Sequence, residues 1–346
     1  MLIYYLGGCE IIANQRSAKK FTAFFLAFIL ILFAGLKVRG STDYQEYHEL
    51  YCRFSAFDTS GFIEPGFQVA MMLIHCVGGG FMLFYFFVVF INVSIKTSII
   101  YRLTPYVGVA LLMYFCGCFF ERDNDGIRQG FSMSFCFIAL YFIAENNLKK
   151  FCIFTIVASL IHYSSIIFFA TIILKRIHWN TKTLLIIVGA SYIISLSGSF
   201  LTSHLVSVVP IDMISTKIEI YSSNNYSEGL GITVGILFRT FLLILFMVYR
   251  SRINIKQNIY FILRNGLALS IICSLLFGDF AIIAHRLPYV FREFQIFIVP
   301  YLISALPTKE LRLIGLTIVM IYSTIILSRF FVDNSVYNEY YNLLFI

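Results

Sequence analysis

The chain has 346 residues, of which 59% are hydrophobic and only 13% are charged. A soluble domain is about 45–50% apolar and about 25% charged, so this composition excludes an ordinary soluble enzyme and favours a membrane protein. The net charge is +8. The basic residues are scattered through short polar segments instead of gathered on one face, which argues against nucleic-acid binding.

Apolar stretches long enough, or nearly long enough, to cross about 30 Å of hydrocarbon occur about ten times along the chain. They lie near residues 2–13, 21–37, 67–91, 100–120, 127–144, 183–200, 231–249, 258–277, 288–306 and 311–330. The first has no basic segment before it and no clear cleavage site after it, so we expect a short span and not a signal peptide. The sequence predicts an all-α polytopic membrane protein, with one integral membrane domain over residues 1–346.

The distribution of charge between the apolar stretches predicts the topology. Lys and Arg number 14 in one set of alternating segments and 5 in the other. The basic set comprises residues 14–20, 92–99, 145–150, 175–182, 250–257 and 306–312. The basic side should be cytoplasmic. Both chain ends, and the long segments 38–65 and 201–230, are then extracytoplasmic.

Residues 151–174 do not fit a simple span, because basic segments lie on both sides of them. A single crossing cannot return to its starting side, so we predict a re-entrant hairpin with its apex at LIHYSS. Irregular backbone at membrane depth is tolerated where it is buried in protein or faces water. His162, inside this apex, is a candidate base, although a lone histidine in an apolar segment is usually a satisfied buried polar group.

The segment VRGSTDYQEYHELY places polar and aromatic side chains directly after an apolar stretch. Arg39 has a planar fork of donors that suits phosphate, and Asp43 could accept a proton or orient a sugar hydroxyl. In a helix, Asp43 and Tyr47 would share one face, with Tyr44 beside them. An interfacial arginine followed by a solvated acidic helix explains the same spacing at least as well. EPGF follows, and its Glu64 suits the start of a helix, which makes a structural role the main interpretation.

Arg128 is the residue for which a functional role is favoured most clearly. It follows the acidic segment ERDND and lies just inside an apolar stretch, where an unpaired charge is costly. It should therefore face a polar cavity or pair with an acid. The D-x-D of Asp123 and Asp125 is weak evidence for a cation site, because a hydrated turn explains it equally well. Eight cysteines show no zinc-type spacing, so we expect no metal and no cofactor.

A second pair of arginines lies near the start of another apolar stretch, in HRLPYVFREF. Arg286 and Arg292 flank Tyr289, and two guanidinium groups there would suit a doubly charged phosphate. One of them could equally be an interfacial residue that reaches the head groups.

Five segments in this order, RGSTDYQEYHELY, EPGF, IRQG, LIHYSS and HRLPYVFREF, resemble the motifs of the EpsG-like polysaccharide polymerases. That group includes many bacterial O-antigen polymerases (Wzy), and the resemblance covers about residues 39–294. It implies a GT-C-like glycosyltransferase of the bacterial inner membrane with its active site facing the periplasm. Such an enzyme joins oligosaccharide repeat units carried on undecaprenyl pyrophosphate. The family's motif residues fall on Arg39, Asp43, Glu64, Arg128, His162 and Arg286.

From this resemblance we expect an inverting transfer without a metal. Arg128 and Arg286 would hold the donor pyrophosphate, and Asp43 or His162 would take the proton from the acceptor hydroxyl. The expected substrate-binding residues are Arg39, Tyr44, Tyr47, Glu64, Gln129, Tyr289 and Arg292. The expected partners are the lipid-linked donor and acceptor, membrane lipids and a chain-length regulator, with no nucleic acid. A polysaccharide ligase remains an alternative; a flippase or transporter and an acyltransferase are less favoured.

Overall fold

The structure is a computed structural model that describes residues 1–13, 16–41, 43–53, 63–196, 231–278, 288–333 and 340–344. The α-helices are α1 Leu2–Ala13, α2 Arg16–Gly35, α3 Tyr44–Arg53, α4 Pro65–Cys76, α5 Phe81–Leu103, α6 Val107–Tyr114, α7 Ile127–Ala144, α8 Leu148–Ile161, α9 Thr171–Arg176, α10 Thr181–Leu196, α11 Val234–Val248, α12 Gln257–Leu276, α13 Tyr289–Arg292, α14 Gln295–Ser304 and α15 Lys309–Asp333. A π-helix, Phe115–Asp123, continues α6, and 3₁₀-helices cover Tyr163–Ala170 and Arg250–Arg252.

The predicted all-α architecture is confirmed apart from one small β-ladder. Strand β1, Lys37–Arg39, pairs antiparallel with β2, Tyr341–Asn342. Lys37 lies opposite Asn342 and Arg39 lies opposite Tyr341. This ladder holds the backbone of residues 37–39 directly after the end of α2. It therefore positions Lys37 and the start of the polar segment that follows.

Within the described residues, five helices are long and apolar enough to cross a bilayer, which indicates a multi-pass membrane protein. They are Arg16–Gly35, Phe81–Leu103, Ile127–Ala144, Gln257–Leu276 and Lys309–Val332. Shorter apolar helices lie at Leu2–Ala13, Pro65–Cys76, Thr181–Leu196 and Val234–Val248. The total of about ten spans, the membrane concerned and the orientation stay predictions.

The predicted span 67–91 and the predicted loop 92–99 are wrong. The apolar stretch is divided between α4 and α5, because three consecutive glycines, residues 78–80, are poor helix formers and interrupt it. Helix α5 then continues through residues 92–99 to Leu103. The topology prediction treated Lys96 as a loop cation. It lies within this helix, and its side chain is fully buried. The predicted span 288–306 is also divided, between α13 and α14.

The predicted hairpin, residues 151–174, contains a break in the helix at its expected apex. Helix α8 ends at Ile161, and His162 has an extended backbone with φ −153° and ψ 114°. The chain continues as the 3₁₀-helix Tyr163–Ala170 and then α9. Whether this break lies at membrane depth stays a prediction. The predicted extracytoplasmic segment 38–65 contains α3, whereas 201–230 lies outside the described residues.

The helices group into two compact units, residues 1–169 with 299–346, and residues 170–298. In the first unit, α7 packs against α5 and α8, α2 packs against α5, and α4 packs against α8. In the second, α12 packs against α9, α10, α11 and α13. Most candidate site residues belong to the first unit.

The first unit has two distinct ends. Lys37, Asn124 and Arg128 lie where α2 ends and α7 begins, which we call the site end. Arg16 and Glu145 lie at the opposite ends of the same two helices, which we call the basic end. Helix α7 has 18 residues, so the two ends are separated by roughly 27 Å at 1.5 Å per residue.

Candidate functional site

The centre of the candidate site is the buried carboxylate of Glu64. Its Oε2 accepts a hydrogen bond from Arg128 Nη1 at 2.9 Å, and its Oε1 lies 3.0 Å from His162 Nδ1. The backbone N–H of Tyr163 also points to Oε1, at 3.4 Å. The side chains of Glu64 and His162 are 7% and 9% exposed, whereas that of Arg128 is 28% exposed. Arg128 is therefore the member of this trio that retains access to a ligand.

The EPGF segment explains why Glu64 reaches His162. Glu64 is the residue before α4, and Pro65 occupies the first helical turn, where its missing N–H costs nothing. A Cβ on Gly66 would lie 2.8 Å from the carbonyl oxygen of Leu160, so only glycine allows α4 to approach the end of α8 this closely. This contact brings the start of α4 beside the break at His162.

A second close approach positions Arg128. Arg128 lies in the first turn of α7, and Gly130 follows it by two residues. A Cβ on Gly130 would clash with the Arg122 carbonyl oxygen and would lie 2.6 Å from Asp123 Oδ1. The glycine of IRQG therefore lets α7 pack directly on the π-helix, and the arginine is held at the site end as a result.

Side chains from the segment VRGSTDYQEYHELY lie next to Arg128. The buried Tyr47 hydroxyl forms a hydrogen bond with the Arg128 backbone, and Asp43 and Asp125 are close enough to act on its charge. Burial is the main reason that the pKa of Tyr47 is raised above its usual value. The Asp43 N–H donates to Asp125 Oδ1 at 2.9 Å, which joins the start of α3 to the turn before α7. Asp43, Tyr47, Glu64, Arg128 and His162 thus form one contiguous cluster.

Lys37 is a buried lysine at the edge of this cluster. It donates to Ser41 Oγ at 2.7 Å and to the carbonyl oxygen of Asn124. Its Nζ lies 5.3 Å and 5.0 Å from the ring centroids of Tyr44 and Tyr85, which is within cation–π range. Burial lowers the pKa of Lys37 to about 7, even though Asp125 and Asp43 oppose the shift.

A second buried ion pair joins α5 to the end of the π-helix. Lys96 Nζ lies 2.6 Å and 2.8 Å from the two carboxylate oxygens of Asp123, and both side chains are fully buried. The Tyr114 hydroxyl donates to Asp123 Oδ2 at 2.6 Å. The carboxylate of Asp123 is therefore engaged by a lysine and a tyrosine. Among the described residues, no group of three or more His, Cys, Asp or Glu is placed to hold a metal ion.

The ionisation of Glu64 follows from its neighbours. Burial alone would raise the pKa of this carboxyl group, but the hydrogen bond from His162 and the charge of Arg128 outweigh it, so the pKa is lowered. Glu64 is therefore an anion at neutral pH. A carboxylate on Nδ1 of a histidine fixes the ring orientation and makes Nε2 the nitrogen that can accept a proton.

The remaining predicted site residues are placed differently. Arg39 is exposed on β1, and Gln129 is half-buried beside Arg128 on α7. Tyr44 packs edge-on against Phe81 at 5.2 Å, so aromatic neighbours cover part of its ring. In the second unit, Tyr289 is buried and Arg292 Nε donates to Glu293 Oε1 at 3.1 Å. Arg286 lies outside the described residues, so its predicted convergence with Arg128 stays a prediction.

Comparison with known proteins decides the family. The model of the EpsG family matches residues 20–345. The chain belongs to the EpsG family. This family is linked to exopolysaccharide biosynthesis. Searches of the curated proteins and of the solved structures found no match to the chain.

The site of this EpsG-family protein combines an anion-binding group with an oriented histidine. Arg128 offers a guanidinium fork at the start of a helix, where the dipole also favours negative charge. His162 is held by an ionised carboxylate, and Asp43 lies in the same cluster. This arrangement can bind a phosphate and accept a proton from a hydroxyl group close to it.

Proposed function

We propose that this EpsG-family protein is a polysaccharide polymerase of the O-antigen or exopolysaccharide type. It joins oligosaccharide repeat units carried on undecaprenyl pyrophosphate at the periplasmic face of the inner membrane. The observation that carries the proposal is the Arg128–Glu64–His162 arrangement at the site end of a multi-pass bundle. A membrane protein places buried charges of this kind where a polar substrate is handled.

In the proposed reaction, a hydroxyl oxygen of the acceptor attacks the anomeric carbon of the donor sugar. The bond between that carbon and the pyrophosphate oxygen breaks, and lipid pyrophosphate leaves with the bonding electrons. Arg128 binds the pyrophosphate and stabilises the negative charge that develops on it, with Arg286 as its predicted second ligand. The acceptor proton passes to His162 Nε2, and attack from the opposite face inverts the configuration.

Glu64 takes a different role from the substrate-binding one expected from the sequence. Its two oxygens are already occupied by Arg128 and His162, so we assign it as a positioning residue. It orients the imidazole and stabilises the imidazolium after proton transfer. Asp43 is the alternative base, since it lies in the same cluster next to Tyr47.

The test measures polysaccharide chain length on gels, in cells that lack the native copy and carry Arg128→Gln, Arg128→Lys or His162→Gln. We expect chains of one repeat unit from all three variants. Arg128→Lys should fail as well as Arg128→Gln, because lysine cannot replace the guanidinium fork. Arg53→Gln is the matched control, since the Arg53 side chain is 81% exposed and forms an ion pair with the half-exposed Glu49 on α3. Long chains from the Arg128 and His162 variants at normal protein level would refute the proposal. Loss of all attached chains would indicate a ligase instead.

A further inference from the structure

Two adjoining cavities occupy the basic end of the first unit, roughly one helix length from the candidate site. The first has a volume of about 550 Å³ and is lined by Arg16, Lys19 and Arg102, with Glu10 and Glu145. The second has a volume of about 530 Å³ and shares Arg16 and Arg102 with the first. Because the two arginines line both cavities, the cavities lie side by side.

The first cavity is suited to an anion. The carboxylate of Glu10 is engaged by the backbone N–H groups of Val107 and Gly108, at 2.8 Å and 2.7 Å, so it caps α6. Aromatic rings hold two of the cations in place: Lys19 Nζ lies 4.8 Å from the centroid of Tyr101, and the guanidinium of Arg102 lies 5.4 Å from the centroid of Tyr141. Three cations against two carboxylates, Glu10 and Glu145, leave the cavity with an excess of pre-positioned positive charge.

The second cavity is suited to an apolar chain. It runs along α2 past Lys20, Ala23 and Ala27, with Phe24 beside them and Ser94 and Ser98 of α5 on the opposite wall. Ala23 and Ala27 are one helical turn apart, and small side chains on both helices leave the groove open. From Lys20 to Ala27 it extends roughly 10 Å along the helix axis. Both helices are candidate membrane spans.

We propose that these two cavities form a binding site for an anionic phospholipid. The phosphate group lies in the cationic cavity, between Arg16 and Arg102, and one acyl chain follows the groove along α2. A soluble phosphate would use the first cavity alone, whereas a lipid uses both. By the charge distribution of the sequence this end faces the cytoplasm, where anionic lipid head groups meet basic residues. The proposal is independent of the reaction at the site end.

The test uses the full chain purified in neutral detergent and native mass spectrometry. The probes are phosphatidylglycerol, phosphatidylcholine with the same acyl chains, and soluble glycerol phosphate. We expect phosphatidylglycerol to bind at least about tenfold more tightly than either of the others. The trimethylammonium group of phosphatidylcholine offsets its phosphate charge beside the arginines, and glycerol phosphate has no acyl chain to fill the groove. Equal binding of the two lipids would overturn the anion site. Equal binding of glycerol phosphate would overturn the lipid assignment.

Variants locate the site. Arg16→Gln with Arg102→Gln should weaken phosphatidylglycerol binding by about tenfold or more, and the corresponding double lysine variant should retain most of it. Lys149→Gln with Lys150→Gln is the matched control, because it removes the same charge from exposed positions at the same end that line neither cavity. An equal loss in this control would refute the assignment. Ala27→Trp, which fills the groove, should weaken lipid binding; unchanged affinity in a folded variant would place the acyl chain elsewhere.

Discussion

Replacing Glu64 by glutamine tests the central contact of the site with almost no change in shape. Glu64→Gln removes the negative charge between Arg128 and His162 and leaves the guanidinium without its ion-pair partner. Loss of one partner from a fully buried pair costs about 3–5 kcal/mol. The Arg128 side chain is 28% exposed, so water compensates for part of the loss. We expect the free energy of unfolding to fall by about 2–3 kcal/mol.

A double-mutant cycle isolates the pair. Glu64→Gln, Arg128→Gln and the double variant are unfolded in detergent under the same conditions, and their free energies of unfolding are compared. If the two side chains interact as the structure shows, the double variant should lose about 1–2 kcal/mol less than the sum of the single losses. Additive losses, within about 0.5 kcal/mol, would refute the interaction.

The same variant gives a prediction for pH. The pKa of Glu64 is lowered from its ordinary value of 4.5, so its ionised form stabilises the folded state. This contribution is complete above about pH 4.5 and is lost as the pH falls through the lower pKa of the folded protein. The stability difference between wild type and Glu64→Gln should therefore shrink as the pH falls further below about 4.5. A difference that stays constant or grows over that acidic range would contradict the assignment.

Three further perturbations test the packing and the buried charges around the site. Gly66→Ala should cost about 1–3 kcal/mol in unfolding free energy because its Cβ meets a carbonyl oxygen of α8, whereas Gly189→Ala, with open space around it, should be neutral or stabilising. Lys96→Met should cost about 3–5 kcal/mol by leaving Asp123 buried and unpaired, and adding Asp123→Asn should recover much of that loss in thermal unfolding. Wild type should gain stability as the pH rises from about 7 to about 10.5, since the unfolded state then binds more protons at Lys37; Lys37→Met should lack this slope in a pH series of unfolding measurements.

The helices were predictable where apolar length alone decides them. The stretch 127–144 became α7 with the same bounds, and 2–13 became α1. Residues 67–99 were assigned incorrectly because the polar residues around Lys96 resemble a loop in sequence. The burial of Lys96 depends on its ion pair with Asp123, which lies 27 positions further along the chain. A lysine in a long, otherwise apolar segment with an acid downstream was the only available indication.

The sequence singled out some members of this candidate cluster but not its geometry. Arg128 was expected to face a cavity or pair with an acid because an unpaired charge at a span is costly, and it does pair with Glu64. That Glu64 also holds His162 depends on the close approach of α4 and α8 at Gly66, which no local pattern specifies. Lys37 was missed because a lysine at the end of a span ordinarily extends to the interface, whereas here it is buried.

The most direct test of the account is a polymerisation assay with purified protein and lipid-pyrophosphate-linked repeat units. It measures the joined products and the released lipid pyrophosphate. Wild type and Arg53→Gln should form products of two or more units, with one lipid pyrophosphate released for each bond. Arg128→Gln should react about 10²–10³-fold more slowly, as expected when a group that stabilises developing charge is removed. Equal rates for Arg128→Gln and wild type would contradict the account.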